Sequence, residues 1–162
     1  GAKAPPFWAG LKFFNVYGPN EYHKARMASV IFHSFNQIQQ NGKVNLFKSH
    51  KQGFTDGNQL RDFCYISDLV DAIFIALNSE INNAEIFNIA SGNPVKIKDI
   101  VLLIKKIIGK GSPNFGSIPY RDNEIMELYA NIEKAQQKLN WIPKIGLLEG
   151  LTLTIQSKID NN

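Results

Sequence analysis

The chain has 162 residues and is poor in cysteine, in histidine and in long apolar segments. Its single cysteine, Cys64, cannot form an internal disulfide, which is typical of proteins in a reducing cytoplasm. Cys64 stands in the apolar run FCYI, so we expect a buried, inert thiol rather than a nucleophile. No apolar run approaches the roughly 20 residues that a membrane-spanning helix needs. We therefore expect a cytoplasmic protein without membrane contact.

The charge balance argues against several kinds of partner. The formal net charge is +4, but the lysines are scattered, and only Lys105-Lys106 and residues 23–26 are dense. We find no basic stripe interleaved with aromatic residues, so we expect no nucleic-acid binding. No second histidine, cysteine or carboxylate stands at metal-ligand spacing from His33, so we expect no metal site. A mildly basic surface that binds an anionic small molecule explains the charge.

The sequence also contains no glycine-rich turn of the GxGxxG or GxxGxxG type between a strand and a helix. That turn lets a backbone approach the pyrophosphate of a dinucleotide. The apolar pattern nevertheless predicts strands that alternate with helices, and hence an α/β fold. The predicted strands or extended segments are residues 11–15, 44–48, 62–66, 86–90 and 114–118. The predicted helices are 27–40, 69–77 after a Ser67-Asp68 cap, 97–108, 132–139 after Asn131, and 148–158.

Residues 10–30, GLKFFNVYGPNEYHKARMASV, are the most informative segment. The predicted strand ends at Asn15, and a Gly18-Pro19 stop and a basic cluster follow before the next helix. In open α/β sheets, ligands bind just beyond the carboxyl ends of strands. A cationic loop in that place suits a phosphate or sugar ligand. The alternative is an ordinary solvated loop.

The string FFNVYGPNEYHK, followed by MASVIFH, resembles the ADP-glyceromanno-heptose 6-epimerases, a group of extended short-chain dehydrogenases/reductases that act on nucleotide sugars. FNVYGP is widespread in NDP-sugar epimerases and dehydratases, whereas NEYHKxxMASVxxH is much narrower. The resemblance is strong to about residue 68 and generic beyond it. It implies that residues 1–162 form the C-terminal, substrate-binding part of a Rossmann-type α/β enzyme. The Tyr-x-x-x-Lys pair of such enzymes is absent here, so the N-terminal dinucleotide-binding half would lie outside this chain.

The resemblance implies epimerisation of a nucleotide sugar by transient oxidation and hydride return, with NADP, or else NAD, as cofactor. The enzyme would act in lipopolysaccharide core heptose synthesis and would be a homo-oligomer when intact. Lys24 would be one of two acid/base residues, the other being a tyrosine of the missing half. The alternative is that Lys24 is an exposed loop lysine without a role in catalysis. Because the tyrosine belongs to the missing half, we expect this chain alone to be inactive.

Further residues acquire expected roles from the same resemblance. Asn15 would hold the substrate, or else would be a turn-forming residue, and the Val16 backbone amide would approach the nicotinamide end of the cofactor. Arg61, in the RDF pattern, would bind the substrate diphosphate, or else pair with a neighbouring aspartate. The other expected substrate-binding residues are Arg26, His33, Phe47, Lys48, Ser49 and His50. His33 could instead be a core histidine bonded to backbone.

Residues 119–124, PYRDNE, depart from the heptose-epimerase pattern. They are similar to the P-x-R-x-x-E/D loop of other NDP-sugar epimerases and dehydratases. This similarity implies that Arg121 also reaches the diphosphate, with Glu124 in the same loop. The exact sugar therefore stays open, and another NDP-sugar epimerase, reductase or dehydratase is an alternative. A sugar-nucleotide-binding remnant without activity is a second alternative.

Overall fold

The computed structural model describes residues 8–80, 83–120 and 125–160. Five helices and nine short strands follow one another in the described residues. The helices are α1 (Val30–Asn41), α2 (Ile66–Asn78), α3 (Ile97–Ile108), α4 (Glu133–Leu139) and α5 (Leu147–Asp160). The strands are β1 (Ala9–Phe13), β2 (Val16–Tyr17), β3 (Lys43–Phe47), β4 (Leu60–Arg61), β5 (Cys64–Tyr65), β6 (Glu85–Ile89), β7 (Val95–Lys96), β8 (Ser112–Ile118) and β9 (Glu127–Leu128). The predicted α/β class is confirmed.

Most strand pairs are parallel, as expected when helices connect them. β1 pairs with β6, β2 with β5, and β3 with β8, all in parallel. A bulge between Asn45 and Phe47 interrupts the β3–β8 register. β4 lies between β7, which is antiparallel to it, and β9, which is parallel. The polar residues that follow these short strands are thereby brought to one region.

Two apolar clusters make up the core. The first lies where α1, α3 and α5 cover β3, and its fully buried members include Tyr17, Phe35 and Ile104. The second joins β6, α2 and α4 around Phe87 and Trp141. The Trp141 indole donates a hydrogen bond of 3.1 Å to the Asp68 carbonyl, which ties the chain after α4 to the start of α2.

Helix α3 forms where the sequence predicts it, because Ile100, Val101 and Ile104 recur with helical spacing on its buried face. Gly109 ends it in the left-handed conformation, and its N–H donates to the Lys105 carbonyl. Gly42 ends α1 in the same way. Both predicted helix ends are therefore confirmed.

Several predicted boundaries are wrong. The first helix begins at Val30 rather than residue 27, because the Ser29 side chain caps it and a separate 3-10 helix (Glu21–Met27) precedes it. Of the predicted strand 62–66, only Cys64–Tyr65 (β5) is a strand. Strand β4 ends before it at Arg61, and the Asp62 carboxylate accepts hydrogen bonds from Ser91 and Gly92. Helix α2 begins already at Ile66, so Asp68 lies in its first turn instead of capping it.

Helix α5 crosses close over strands β2 and β5. A side-chain carbon at Gly150 would lie 2.2 Å from the Tyr17 hydroxyl and 3.0 Å from the Tyr65 ring, so only glycine fits there. Tyr17 packs edge-on against the rings of Phe63 and Tyr65. Burial raises the pKa of the Tyr17 phenol well above its ordinary value, so it stays neutral. The last helix thus closes the core beside the informative segment at residues 10–30.

Candidate functional site

A cleft of about 580 Å³ opens between the start of α1, the end of β3 and strand β4. It collects residues that the sequence placed far apart. Of the predicted site residues, its walls contain Asn15, Val16, Arg26, His33, Phe47 and Arg61. The sequence argument missed the amide side chains of Gln37, Asn45 and Gln59, which also line it. A cleft with cationic, amide and apolar walls suits a polar, phosphate-bearing ligand.

Asn15 lies just after β1, with a positive φ of 28° that reflects the sharp turn into β2. Its Nδ2 donates a hydrogen bond of 3.0 Å to the Asp62 carbonyl, so the side chain links the two segments that bound the cleft. Asn15 is therefore both a turn residue and a residue of the cleft wall. The interpretation as a turn former and the interpretation as a substrate-binding residue do not exclude each other. Val16, in β2, pairs with Cys64 and lines the cleft beside it.

Arg26 and His33 come together at the start of α1. The ring nitrogen Nε2 of His33 lies 3.4 Å from the Arg26 carbonyl oxygen. This is the backbone contact that the alternative interpretation of His33 predicts, yet the ring also lines the cleft. The Arg26 side chain borders the same opening. This wall therefore offers a cation and an imidazole to a ligand.

Lys24 lies on the 3-10 helix and does not line the cleft. Its Nζ donates to the Glu21 carboxylate over 3.3 Å, and its side chain is 33% exposed. Glu21 is almost fully buried and also accepts from the Ser29 N–H over 2.8 Å and from the Ser29 hydroxyl over 2.7 Å. Ser29 in turn caps α1 by accepting from the Phe32 N–H. One buried carboxylate therefore joins Lys24 to the start of the helix that carries His33.

Arg61 is buried on β4, where its Nη1 donates to the carbonyls of Leu60 and Met126 over 2.8 and 3.2 Å. The neighbouring aspartates are bonded elsewhere. The Asp62 carboxylate accepts from Ser91 and Gly92, and that of Asp68 accepts from the N–H groups of Lys144 and Ile145. Backbone contacts thus fix the guanidinium at the cleft wall, and its contact with a diphosphate stays a prediction.

The four expected substrate-binding residues of segment 47–50 do not all reach the cleft. Phe47 lines the cleft, whereas Lys48, Ser49 and His50 do not. Ser49 N–H donates to the Asp56 carboxylate over 2.6 Å, and the His50 ring lies 4.0 Å from the Tyr120 ring, centroid to centroid. Segment 47–50 is therefore ordered by the loop that follows it and by the residues before Arg121. Arg121 and Glu124 themselves lie outside the described residues.

Other chemistry finds no support in the residues that the structure describes. No group of three metal-ligating side chains occurs among them. Burial raises the pKa of the Cys64 thiol to about 12, in agreement with the predicted inert cysteine. Within the described ranges, no helix is long and apolar enough to cross a membrane.

The chain resembles known nucleotide-sugar enzymes. An ADP-L-glycero-D-manno-heptose-6-epimerase of Fusobacterium nucleatum is 53% identical over 96 residues, which are 59% of this chain and 29% of that protein. The crystal structure of the Helicobacter pylori enzyme of the same name superposes with a TM-score of 0.77 at 26% identity, over 91% of this chain and 42% of the other. A Bacillus cereus UDP-glucuronic acid 4-epimerase, in complex with UDP-glucuronic acid and NAD, gives a TM-score of 0.77 at 27% identity, over 94% and 45%.

The chain thus spans less than a third of the curated relative that it matches and less than half of these solved structures. The family model described as the NAD dependent epimerase/dehydratase family matches residues 6–90, which is more than half of the chain. Those residues include all the predicted site residues from Asn15 to Arg61. On this match the chain belongs to the NAD dependent epimerase/dehydratase family.

Proposed function

We propose that this chain is the substrate-binding part of a nucleotide-sugar epimerase that acts on an ADP-heptose. The cleft carries the proposal, because it gathers Asn15, Arg26, His33 and Arg61 around a space of about 580 Å³. The 53% identity to the Fusobacterium nucleatum heptose epimerase favours the sugar. In lipopolysaccharide-producing cells, such an enzyme would supply a heptose precursor. The whole enzyme would be a cytoplasmic homo-oligomer.

The substrate diphosphate would lie against Arg61, whose planar guanidinium matches phosphate oxygens. Its contacts with the Leu60 and Met126 carbonyls leave the fork in a fixed orientation, which reduces the entropy lost on binding. Asn15 and Arg26 would hold the sugar end, and Phe47 and His50 the nucleoside. Arg121 and Glu124 would complete the diphosphate contacts from the loop beyond Tyr120.

Lys24 would hold or move the proton at the oxygen of the exocyclic carbon. Its ammonium contacts Glu21 in the structure, so its four-carbon side chain would have to turn from that carboxylate toward the cleft. A second acid/base residue, the tyrosine of the dinucleotide-binding half, would hold or move the proton on the opposite side of that carbon. With groups on both sides, the oxygen can be protonated or deprotonated in either orientation of the sugar.

The cofactor would be NADP or NAD. Val16 in the cleft wall fits a contact with the nicotinamide end, but among the described residues no glycine-rich turn between strand and helix is available for the cofactor phosphates. The chemistry that a bound nicotinamide would supply is reversible hydride transfer with the substrate carbon. The other half of the enzyme would hold most of the cofactor, and this chain would close the site over the sugar.

A second candidate is an epimerase or dehydratase that acts on another NDP-sugar. The ring contact between His50 and Tyr120 favours it, because the wall of the nucleoside end continues into the PYRDNE loop. Solved structures of a UDP-sugar and an ADP-heptose epimerase resemble this chain equally well. A remnant that binds a nucleotide sugar without turnover is the third candidate.

The test uses a two-half enzyme, in which the N-terminal dinucleotide-binding part of the Fusobacterium nucleatum relative is joined to this chain. Proton NMR would follow the epimers of an ADP-heptose, with UDP-glucose and UDP-glucuronic acid in parallel. Conversion of the ADP-heptose alone supports the proposal. Conversion of a UDP-sugar instead supports the second candidate. Binding by calorimetry without any turnover supports the third.

A further inference from the structure

Lys158, in the last helix, is a buried cation that the proposed chemistry does not use. Its side chain is 4% exposed, and its Nζ lies 3.7 Å from the Phe32 ring centre, 4.9 Å from that of Tyr22 and 5.0 Å from that of Phe35. Its described hydrogen bond goes to the neutral amide oxygen of Asn36 over 3.4 Å. The three aromatic faces and the amide compensate part of the lost hydration of this ammonium group. Through Tyr22 and Phe32, Lys158 ties α5 to the 3-10 helix and to α1.

Glu21 lies beside this contact. It is 2% exposed and directly precedes Tyr22, whose ring faces Lys158. Burial lowers the pKa of Lys158, and the attraction of Glu21 opposes this change. Glu21 itself is paired with Lys24 over 3.3 Å and accepts two hydrogen bonds from Ser29. Lys158 therefore contacts the residue that follows Glu21, and Glu21 holds Lys24 and the start of α1.

The backbone around Lys24 is one that few residues adopt without support. Asn20 before the 3-10 helix has a φ of 64°, and Ala25 within it has a φ of 46°. Positive φ values at residues other than glycine persist only where the surroundings fix them. Here the fixing contacts run from Glu21 to Ser29, so they span Ala25 on both sides. Lys24 is held between these points by the same carboxylate.

We propose that Lys158 and Glu21 are positioning residues for Lys24. Lys158 holds Tyr22 against α5 and so keeps the neighbouring Glu21 in place, and Glu21 fixes the strained turn from which Lys24 must reach the substrate. The inference rests on the proposed function, because it explains the contacts around Lys24 by the role of Lys24 as an acid/base residue. It adds a contribution from the C-terminal helix, which the expected site residues do not include.

The kinetic test uses the two-half enzyme with Lys158→Met, which keeps the apolar part of the side chain and removes the charge. We expect kcat to fall by about 10-fold to 100-fold, as small misplacements of a catalytic group do, with KM changed less than about twofold. Lys158→Arg should recover most of the loss. Lys105→Met, an exposed change of the same kind on α3, is the matched control and should leave kcat unchanged.

A double variant separates positioning from general destabilisation. If Lys158 acts through Lys24, Lys24→Met with Lys158→Met is no slower than Lys24→Met alone. The same cycle applies to Glu21→Gln. An unchanged kcat in Lys158→Met overturns the inference. It is also overturned if the kcat of the double variant falls below that of Lys24→Met by the full factor seen in Lys158→Met. If Lys24→Met itself retains turnover, the proposed role of Lys24 fails instead.

Hydrogen exchange on the two-half enzyme gives a readout that needs no activity. In Lys158→Met and in Glu21→Gln, amides of residues 20–33 should exchange about tenfold faster, because a local opening becomes easier. Amides of α3 and β8 should keep their rates, as should all amides in Lys105→Met. A uniform rise over the chain, or no rise in residues 20–33, contradicts the positioning role even if the wild-type two-half enzyme is inactive.

Discussion

Lys24 and Arg61 carry the same charge in different settings, and this difference separates chemistry from binding. Lys24 is partly exposed on a 3-10 helix, whereas the Arg61 guanidinium is buried and fixed by backbone carbonyls. In the two-half enzyme, we expect Lys24→Met to lower kcat by roughly two to four orders of magnitude while substrate affinity barely changes. Steady-state kinetics with calorimetry measure both. Near-normal turnover with an ADP-heptose would place the proton transfer elsewhere.

Arg61→Ala should show the reverse pattern. Loss of the charge-assisted bonds to the diphosphate should weaken substrate binding by about 1.5–3 kcal/mol. Arg61→Lys keeps the charge without the planar fork and should recover only part of the affinity. Thermal unfolding of the same variants tells a binding effect from a folding effect. Full affinity in folded Arg61→Ala would show that other residues hold the diphosphate.

Cys64 tests the buried environment under the cleft. The thiol is 1% exposed, and burial first, then the nearby Asp68 and Asp62, raises its pKa to about 12. The thiolate is the reactive form, so at pH 8 the folded chain should react with a thiol reagent only slowly. Reaction should become fast when denaturant exposes the side chain. Rapid labelling of the folded chain would show that the β2–β5 pair opens readily.

At the scale of elements, Asp68 acts between helices. Its carboxylate accepts hydrogen bonds from Lys144 and Ile145 N–H groups over 3.1 and 3.0 Å, which fix the segment between α4 and α5 against α2. Asp68→Ala should lower the free energy of unfolding by about 1–3 kcal/mol, since two part-buried N–H donors lose their acceptor. Asp71→Ala is the matched control. That residue pairs with Lys144 at the exposed surface and should change stability by less than about 0.5 kcal/mol. Equal losses would contradict this account.

The sequence predicted helices and cleft residues better than it predicted short strands and connections. The predicted bounds of helix α3 agree with the structure, because its apolar period and the Gly109 cap are local features of the sequence. Strand 62–66 was wrong because Asp62 is fully buried and bonds to Ser91, 29 residues away, which no local pattern records. Lys158 was missed for the same reason, since its partners lie more than 100 residues earlier. Asn15, Arg26, His33 and Arg61 were found because the family motif names them, not because their spacing does.

At the scale of the whole molecule, α2 carries an apolar stripe on its exposed side. Val70, Phe74 and Leu77 are 41%, 63% and 77% exposed, and Phe13 of the adjacent β1 is 46% exposed. We expect the isolated chain to be poorly stable or to aggregate, because apolar faces and unpaired strand edges associate. Phe74→Ser with Leu77→Ser should reduce aggregation measured by light scattering. A monomeric wild-type chain with a sharp, reversible unfolding transition would contradict this.

Cofactor affinity is also a property of the whole enzyme. The isolated chain should neither turn over a nucleotide sugar nor bind NADP tightly, because the proposed contact of Val16 is one among the many that a dinucleotide needs. Calorimetry of the 162-residue chain with NADP, beside the two-half enzyme as control, measures this. Micromolar affinity for the isolated chain would mean that it carries a dinucleotide site of its own.

The packing of α5 against much earlier segments has a consequence for biosynthesis. Lys158 bonds to Asn36 across 122 residues, and Gly150 contacts Tyr17 across a similar stretch. On the ribosome, the segment around Lys24 is synthesised well before α5 and meets its last partners only when α5 has left the exit tunnel. Contacts of such sequence separation form slowly. A nonsense or frameshift mutation just before the codons of α5 would therefore impair a site that was translated long before it.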